Sequence, residues 1–236
     1  MESSEPSPFW GWTDIVIALG AMLPALLVSG GAVFLTFWLA GVKPASKDIA
    51  MPSQLLFYGL WVLLLWLAFR WRHHKPFWQS LGFGLPANYG RFIAYGPALT
   101  LFVGVAGFVL QAKEVKMPLI DELLADPVQR VLFFVFAVTF GPVCEELFFR
   151  GLVLPVAARS FGWLAALILT NVPFALIHGP QYSWSWQHLL LLTVAGLVFG
   201  VIRLQSGTAA ATLTHCTYNL AMFGGCLLYT SDAADE

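Results

Sequence analysis

Apolar residues follow one another in long runs along most of this chain, and short polar stretches separate the runs. A run of about 20 apolar residues is long enough for a helix to cross the hydrocarbon core of a bilayer. The pattern therefore predicts an all-α, polytopic transmembrane helical bundle with about seven spans, or eight in the complete protein. The predicted spans are 15–40, 54–71, 92–111, 131–158, 161–180, 187–203 and 208–229.

The composition supports the membrane class. Hydrophobic residues make up 58% of the sequence and charged residues only 11%, which is too few charges to cover the surface of a soluble protein of this size. The net charge of -1 gives no reason to expect a nucleic-acid partner. The expected surroundings are a lipid bilayer, with the chain as a multi-pass integral membrane protein.

The segment 112–130 departs from the pattern of spans. Pro118 opens the sequence PLIDELLADPVQR, in which apolar residues recur on one side of a helix. Such a pattern predicts a short interfacial amphipathic helix. We therefore divide the chain into N-terminal spans with this helix (1–130), a core of further spans (131–225) and a tail (226–236). The tail, CLLYTSDAADE, resembles the translation of a sequencing adapter, so we expect it to be non-native.

Basic residues indicate an orientation in the membrane. The loop RWRHHK, from Arg70 to Lys75, is predicted to lie on the same side as Arg91, Arg159 and Arg203. Because lysine and arginine are enriched in cytoplasmic loops, this modest excess predicts a cytoplasmic N-terminus. The adapter-like tail is typical of draft sequence data and favours a prokaryotic cell membrane.

Charged residues interrupt one of the most apolar stretches, from Val131 to Ala158. Glu146 and Arg150 are four residues apart, so their side chains are predicted to pair on one helix face. Glu145 points about 100° away and is left for chemistry. Charged groups inside a membrane are costly and usually functional, although a purely structural ion cluster is the alternative. Pro142 is expected to leave a backbone carbonyl unpaired one turn earlier and to kink the helix.

Two later segments each place a histidine in register with a second side chain. Phe174 and His178 are four residues apart, and so are His215 and Asn219, so each pair shares a helix face. A lone histidine in a membrane helix more often bonds a neighbouring helix than performs catalysis. Three such polar segments in one short chain favour a shared site.

The depth of these residues can be estimated from the helical rise. Glu145 and His178 lie at roughly equal depth, about 21–23 Å from the turn that joins their helices. His215 lies only roughly 12 Å into its span, so a tilted or re-entrant segment is expected before it. Gly196 and Gly200 form a GxxxG pair, which predicts close packing of their helix beside the site.

The three pieces together resemble a known family. EELFFR (145–150), FALIH (174–178) and HCTYN (215–219) match the pattern EExxxR, FxxxH, HxxxN of the CPBP intramembrane proteases at every motif position. That family includes type II CAAX prenyl endopeptidases and bacteriocin-processing or self-immunity proteins. The resemblance covers 131–225 and implies an intramembrane endopeptidase that hydrolyses a peptide bond of a membrane-associated peptide or protein.

The resemblance also implies four catalytic side chains and three supporting ones. The catalytic side chains are Glu145, His178, His215 and Asn219. The supporting side chains are Glu146, Arg150 and Phe174. In this scheme Glu145 is the general base that activates water and His178 helps to hold that water. The other two catalytic side chains donate hydrogen bonds to the oxyanion of the tetrahedral intermediate.

Metal dependence and the reaction itself leave alternatives open. Glu145, His178 and His215 are a candidate zinc-ligand set with an open position for water. The favoured mechanism is metal-free and needs no cofactor. A non-catalytic immunity or peptide-binding protein could use the same cavity, and intramembrane Glu and His also build proton relays in transporters.

Overall fold

The computed structural model describes residues 8–232, with side chains as far as Gly224, and this part of the chain contains helices and loops but no strand. The predicted all-α class is therefore confirmed. The predicted tail at 226–236 lies beyond the described side chains, and residues 233–236 lie outside the description altogether.

The elements are α1 (Trp12–Leu39), α2 (Ser46–His73), α3 (Phe77–Ser80), α4 (Tyr89–Val109), α5 (Pro118–Ala125), α6 (Pro127–Val135), the π-helical segment π1 (Phe136–Phe140), α7 (Gly141–Glu146), the π-helical segment π2 (Leu147–Val153), α8 (Leu154–Phe161), α9 (Trp163–Leu176), α10 (Trp186–Ser206) and α11 (Thr208–Asp232).

In the described chain, five helices are long and apolar enough to cross a membrane. Two of the predicted spans are not in this set, so the count of seven is not confirmed. Helix α9 has only 14 residues, and at 1.5 Å per residue its length of about 21 Å is shorter than a hydrocarbon core. Helix α11 is also not among the five. The five are Trp12–Leu39, Ser46–His73, Tyr89–Val109, Pro127–Phe161 and Trp186–Ser206.

The amphipathic helix predicted within 112–130 begins where expected but ends early. Helix α5 runs from Pro118 to Ala125. The Asp126 carboxylate then accepts a hydrogen bond from the Val128 N–H at 3.0 Å and begins α6. An aspartate in this position caps a new helix because it satisfies a backbone N–H that has no partner in the first turn. Val128 therefore belongs to the next helix and not to the amphipathic face.

One compact unit contains residues 8–80 and 118–136. Its helices α1 and α2 pack together, and the Trp61 indole N–H donates to the Ala18 carbonyl at 2.8 Å. Asp14 on α1 is buried; at the end of α2 it forms an ion pair with Arg72 and a hydrogen bond with His73. The Trp61 bond and the Asp14 contacts give polar groups of this apolar helix pair a partner within the protein. A membrane environment requires this, because it offers no water as a partner.

The second compact unit contains residues 81–117 and 137–232 and holds all the candidate site residues. Its helices α4 and α11 approach so closely that a Cβ atom built at Gly96 would lie 2.1 Å from Thr217 Oγ1 and 2.4 Å from the Tyr218 backbone nitrogen. Around this contact lies a core of apolar side chains from α4, α10 and α11. Its largest members are Phe92, Leu99, Val103, Leu191, Phe199, Ile202 and Tyr218.

We expect Gly96→Ala to lower the free energy of unfolding by about 1–3 kcal/mol, because the added methyl group meets backbone that cannot move aside. Gly104→Ala on the same helix is the matched control, since nothing lies within 4 Å of its added Cβ. The control should keep or raise stability, by up to about 1 kcal/mol. Thermal unfolding in detergent compares the two variants. Equal midpoints would contradict the close approach of α4 and α11.

Candidate active site

Two π-helical segments interrupt the helix from Pro127 to Phe161, which we call the site helix. The short helix α7 between them ends at Glu146, and π2 contains Arg150. A π turn inserts one extra residue into an α-helix and is frequently found at functional sites. The charged residues of the site therefore lie where the helix departs from regular α geometry.

The segment π1 ends just before Pro142, and the kink expected there stays a prediction. In a π-helix each carbonyl accepts from the N–H five residues on. The donor for the Ala137 carbonyl would be residue 142, which is proline and has no N–H. The Asn219 side-chain amide takes its place and donates to the Ala137 carbonyl at 2.7 Å. The carbonyl left over by the proline is therefore satisfied by a neighbouring helix.

Glu146 and Arg150 form the predicted ion pair. Glu146 Oε1 lies 3.0 Å from Arg150 Nη1, and neither side chain has any solvent exposure. Arg150 Nη2 also donates to Asn171 Oδ1 at 2.8 Å and to the Gly196 carbonyl at 3.0 Å. Because an unpaired buried charge is strongly destabilising, these contacts explain how a guanidinium is retained here.

Aromatic rings enclose the Arg150 guanidinium. Its Cζ atom lies 4.4 Å from the centre of the Phe174 ring, 5.6 Å from that of Phe199 and 5.8 Å from that of Phe149. The negative faces of aromatic rings attract a cation, most strongly where water is excluded. Phe174 thus contacts the ion pair directly.

Helix α10 comes close to the ion pair because it has glycine at two positions. A Cβ at Gly196 would lie 2.7 Å from Asn171 Oδ1 and 3.0 Å from Arg150 Nη2, and one at Gly200 would lie 2.6 Å from Leu167 Cδ2. The close packing predicted from the GxxxG pair is confirmed. It allows the Gly196 carbonyl to reach the guanidinium.

His215 lies beside both glutamates. Its Nδ1 is 2.9 Å from Glu146 Oε1, and its Nε2 is 3.9 Å from Glu145 Oε2. The Phe199 ring stacks on the imidazole with 4.4 Å between ring centres. The Glu145 side chain is 19% exposed, whereas that of Glu146 is fully buried. The two neighbouring carboxylates therefore differ: one is held by Arg150 and His215, and the other is partly open.

His215 reaches the glutamates from α11, which follows α10 after a single residue, so no re-entrant segment precedes it. The alternative of a tilted segment stays a prediction. Helix α11 begins at Thr208, whose hydroxyl donates to the Leu81 carbonyl. Leu81 also lies against the site helix, since a Cβ at Gly151 would be 3.4 Å from the Leu81 Cβ. The start of α11 is thus level with Gly151 and not with the end of the site helix. His215 lies roughly 9–11 Å along α11 from Thr208, and Glu145 lies a similar distance along the site helix from Gly151. The two side chains are therefore at about the same level.

His178 is fixed near the end of α9. Its Nδ1 lies 2.8 Å from the Phe174 carbonyl, and the two rings are in contact. A carbonyl oxygen only accepts, so Nδ1 donates, and in a neutral imidazole Nε2 then carries the lone pair. Across the residues that the structure describes, no hydrogen bond or ion pair joins His178 to Glu145.

The candidate zinc ligands do not form a metal-binding group. Among the side chains that the structure describes, as far as Gly224, no three His, Cys, Asp or Glu residues are arranged to hold a metal ion. His215 is close to Glu145, but among the described residues His178 does not join them in a ligand group. A three-ligand zinc site needs all of its ligand atoms about 2 Å from one point, and the side chains do not fit that requirement.

Sequence reasoning missed Asn171. This amide accepts from Arg150 and donates to the Leu167 carbonyl at 2.7 Å. The available signal was a single amide within the apolar sequence ALILTNVPFAL. Polar side chains inside membrane helices often form hydrogen bonds between helices, and here that bond connects α9 to the buried ion pair.

We expect Arg150→Met to cost about 3–5 kcal/mol of unfolding free energy, because it leaves the Glu146 carboxylate buried without its cation. Adding Glu146→Gln to that variant should recover part of the loss, since the orphaned charge is then removed as well. Equilibrium unfolding in mixed micelles measures both, with Arg130→Met at an exposed position as the control. Additive effects of the two substitutions would contradict a coupled buried pair.

Residues 127–221 match a family model described as Type II CAAX prenyl endopeptidase Rce1-like. No curated protein and no solved structure matches the chain. The matched range contains the site helix, both candidate catalytic histidines and Asn219, so it includes all three motif pieces. The match over residues 127–221 supports the resemblance to the CPBP intramembrane proteases that the three motif pieces predict.

Proposed function

We propose that this protein is an intramembrane endopeptidase in which Glu145 activates the water that attacks the peptide bond. One observation carries the proposal. Glu145 keeps a partly exposed carboxylate 3.9 Å from His215 Nε2, while the adjacent Glu146 is fully buried and bonded to Arg150 and His215. A carboxylate without a structural partner, in reach of an imidazole, is suited to act as a general base.

A single water molecule would reach both Glu145 Oε2 and His215 Nε2, which lie 3.9 Å apart. Hydrogen bonds to water are about 2.8 Å long, so one water can contact two atoms up to roughly 5.5 Å apart. Glu145 would take a proton from this water as its oxygen bonds to the substrate carbonyl carbon. It would return that proton to the leaving amine when the C–N bond breaks. Glu146 would fix the His215 ring, as the aspartate of a hydrolytic triad fixes its histidine.

Asn219 and His178 would contribute the remaining contacts to the reacting groups. The Asn219 amide nitrogen has two hydrogens, and one is used by the Ala137 carbonyl. The second would donate to the oxyanion of the tetrahedral intermediate. Glu145 and His178 Nε2 would accept the two hydrogens of the water, because His178 Nδ1 is already held by the Phe174 carbonyl. A doubly protonated His215 would donate from Nε2 to the water oxygen. Fixed polar groups in a water-poor site favour developing charge without reorganisation.

We assign no step to zinc, because Glu145, His178 and His215 do not meet as a ligand set. The proposed mechanism needs no cofactor. Its substrate is a membrane-associated peptide or protein that reaches the site from the bilayer. A cytoplasmic N-terminus and a prokaryotic cell membrane remain predictions from the sequence.

We expect Glu145→Gln to lower cleavage by at least about 100-fold, because the amide cannot accept a proton from water. The measurement compares new peptide termini in membranes of cells that produce wild type, Glu145→Gln or the control Glu122→Gln, which alters an exposed glutamate of α5. All three proteins should fold and insert equally, since Glu145, unlike Glu146, is not part of a fully buried ion pair with Arg150.

Termini present with wild type and Glu122→Gln but absent with Glu145→Gln would support the endopeptidase. If no terminus depends on the presence of the protein and Glu145→Gln keeps the cellular phenotype, the non-catalytic immunity or peptide-binding protein is favoured instead. Cleavage that persists in Glu145→Gln would exclude Glu145 as the base. Addition of a chelator to active wild-type membranes tests the zinc alternative separately.

A further inference from the structure

Pro155 leaves the backbone carbonyl of Arg150 without a donor from its own helix. The π2 hydrogen-bond ladder ends with the Leu154 N–H, which donates to the Phe149 carbonyl five residues earlier. The next carbonyl in this ladder belongs to Arg150, and its donor would be residue 155. That residue is proline and has no N–H.

Arg203 supplies the missing donor from α10. Its Nε donates to the Arg150 carbonyl at 3.0 Å. Gly82 leaves room for the guanidinium, because a Cβ there would lie 3.3 Å from Arg203 Cζ. Its φ of +83° also disfavours residues with side chains. From the sequence, Arg203 was predicted only as a basic residue at a span end.

The same arrangement occurs on the other side of the glutamates. The Ala137 carbonyl lies five residues before Pro142, and the Asn219 amide of α11 donates to it. Two sets of proline, unpaired carbonyl and donor side chain therefore flank the segment that carries the charged site. A single set could be incidental packing. Two sets, with donors from α10 and α11, indicate that the register of this segment is held from both ends.

We propose that Arg203 is a positioning residue of the active site. By bonding the Arg150 carbonyl it holds π2 in register, and this places the Arg150 guanidinium against Glu146. Glu146 in turn orients His215 beside the candidate base. The kinetic consequence rests on the endopeptidase function proposed above, whereas the structural consequence does not.

The test uses a substitution and its rescue within the full chain. Arg203→Met removes the donor and should lower kcat roughly 10- to 100-fold with KM changed less than about twofold, because small displacements in an active site affect the reaction more than binding. Pro155→Ala restores a backbone N–H five residues after Arg150. Adding it to Arg203→Met should therefore bring kcat back to within about threefold of wild type. Arg130→Met controls for the loss of one positive charge.

A second readout needs no substrate. A hydrophobic carbodiimide should modify Glu145 in preference to the buried Glu146 in wild type, as read by mass spectrometry. Arg203→Met should raise Glu146 modification at least severalfold, and the double variant with Pro155→Ala should return it to the wild-type level. If Arg203→Met does not fold, recovery of folded protein in the double variant is the corresponding supporting result.

Three outcomes would overturn the proposal. In one, Pro155→Ala fails to rescue Arg203→Met in any readout, which would mean that Arg203 acts through its charge or its packing. In another, Glu146 stays unmodified in Arg203→Met. In the third, Arg203→Met raises KM alone. If wild type cleaves nothing, the endopeptidase proposal fails, and the carbodiimide measurements still decide whether Arg203 positions the site.

Discussion

Arg150 carries a positive charge into a region where neither it nor its partner Glu146 contacts solvent. A buried guanidinium needs a counter-charge and further hydrogen-bond acceptors, because a charge left unpaired inside a protein is strongly destabilising. These acceptors come from different helices: Glu146 from the site helix, Asn171 from α9 and the Gly196 carbonyl from α10. The need to satisfy one side chain therefore brings three helices to a common point, and α10 reaches it only because it has glycine there.

The same requirement separates the roles of two adjacent glutamates. Glu146 is taken up by Arg150 and by His215 Nδ1, so its carboxylate serves the structure. Glu145 lies beside it, partly exposed, and faces the other nitrogen of the same imidazole. The two glutamates thus differ in whether their carboxylates are available for catalysis, because their surroundings differ. The buried pair also fixes the orientation of the histidine with which Glu145 would share a water.

The sequence predicted contacts that follow from local helical geometry and missed those that depend on distant parts of the chain. The Glu146–Arg150 pair follows from a spacing of four residues, and the GxxxG packing follows from residue size. The level of His215 could not be predicted, because the contact between Thr208 and Leu81 sets where α11 begins. Asn171 was missed because its partner belongs to another helix. The span count is not confirmed at α9, which has 14 residues, because apolar composition extends beyond the helix itself.

Prolines explain why the site helix is joined so firmly to its neighbours. Each proline removes one backbone donor, and in an apolar environment the carbonyl left behind must find another. Both leftover carbonyls, at Ala137 and Arg150, are bonded by side chains of other helices. The two prolines of the site helix thus lead to two hydrogen bonds with other helices, one on each side of Glu145 and Glu146. The shape of the site then depends on helix packing, and a displacement of α10 or α11 would be transmitted to the glutamates through these two carbonyls.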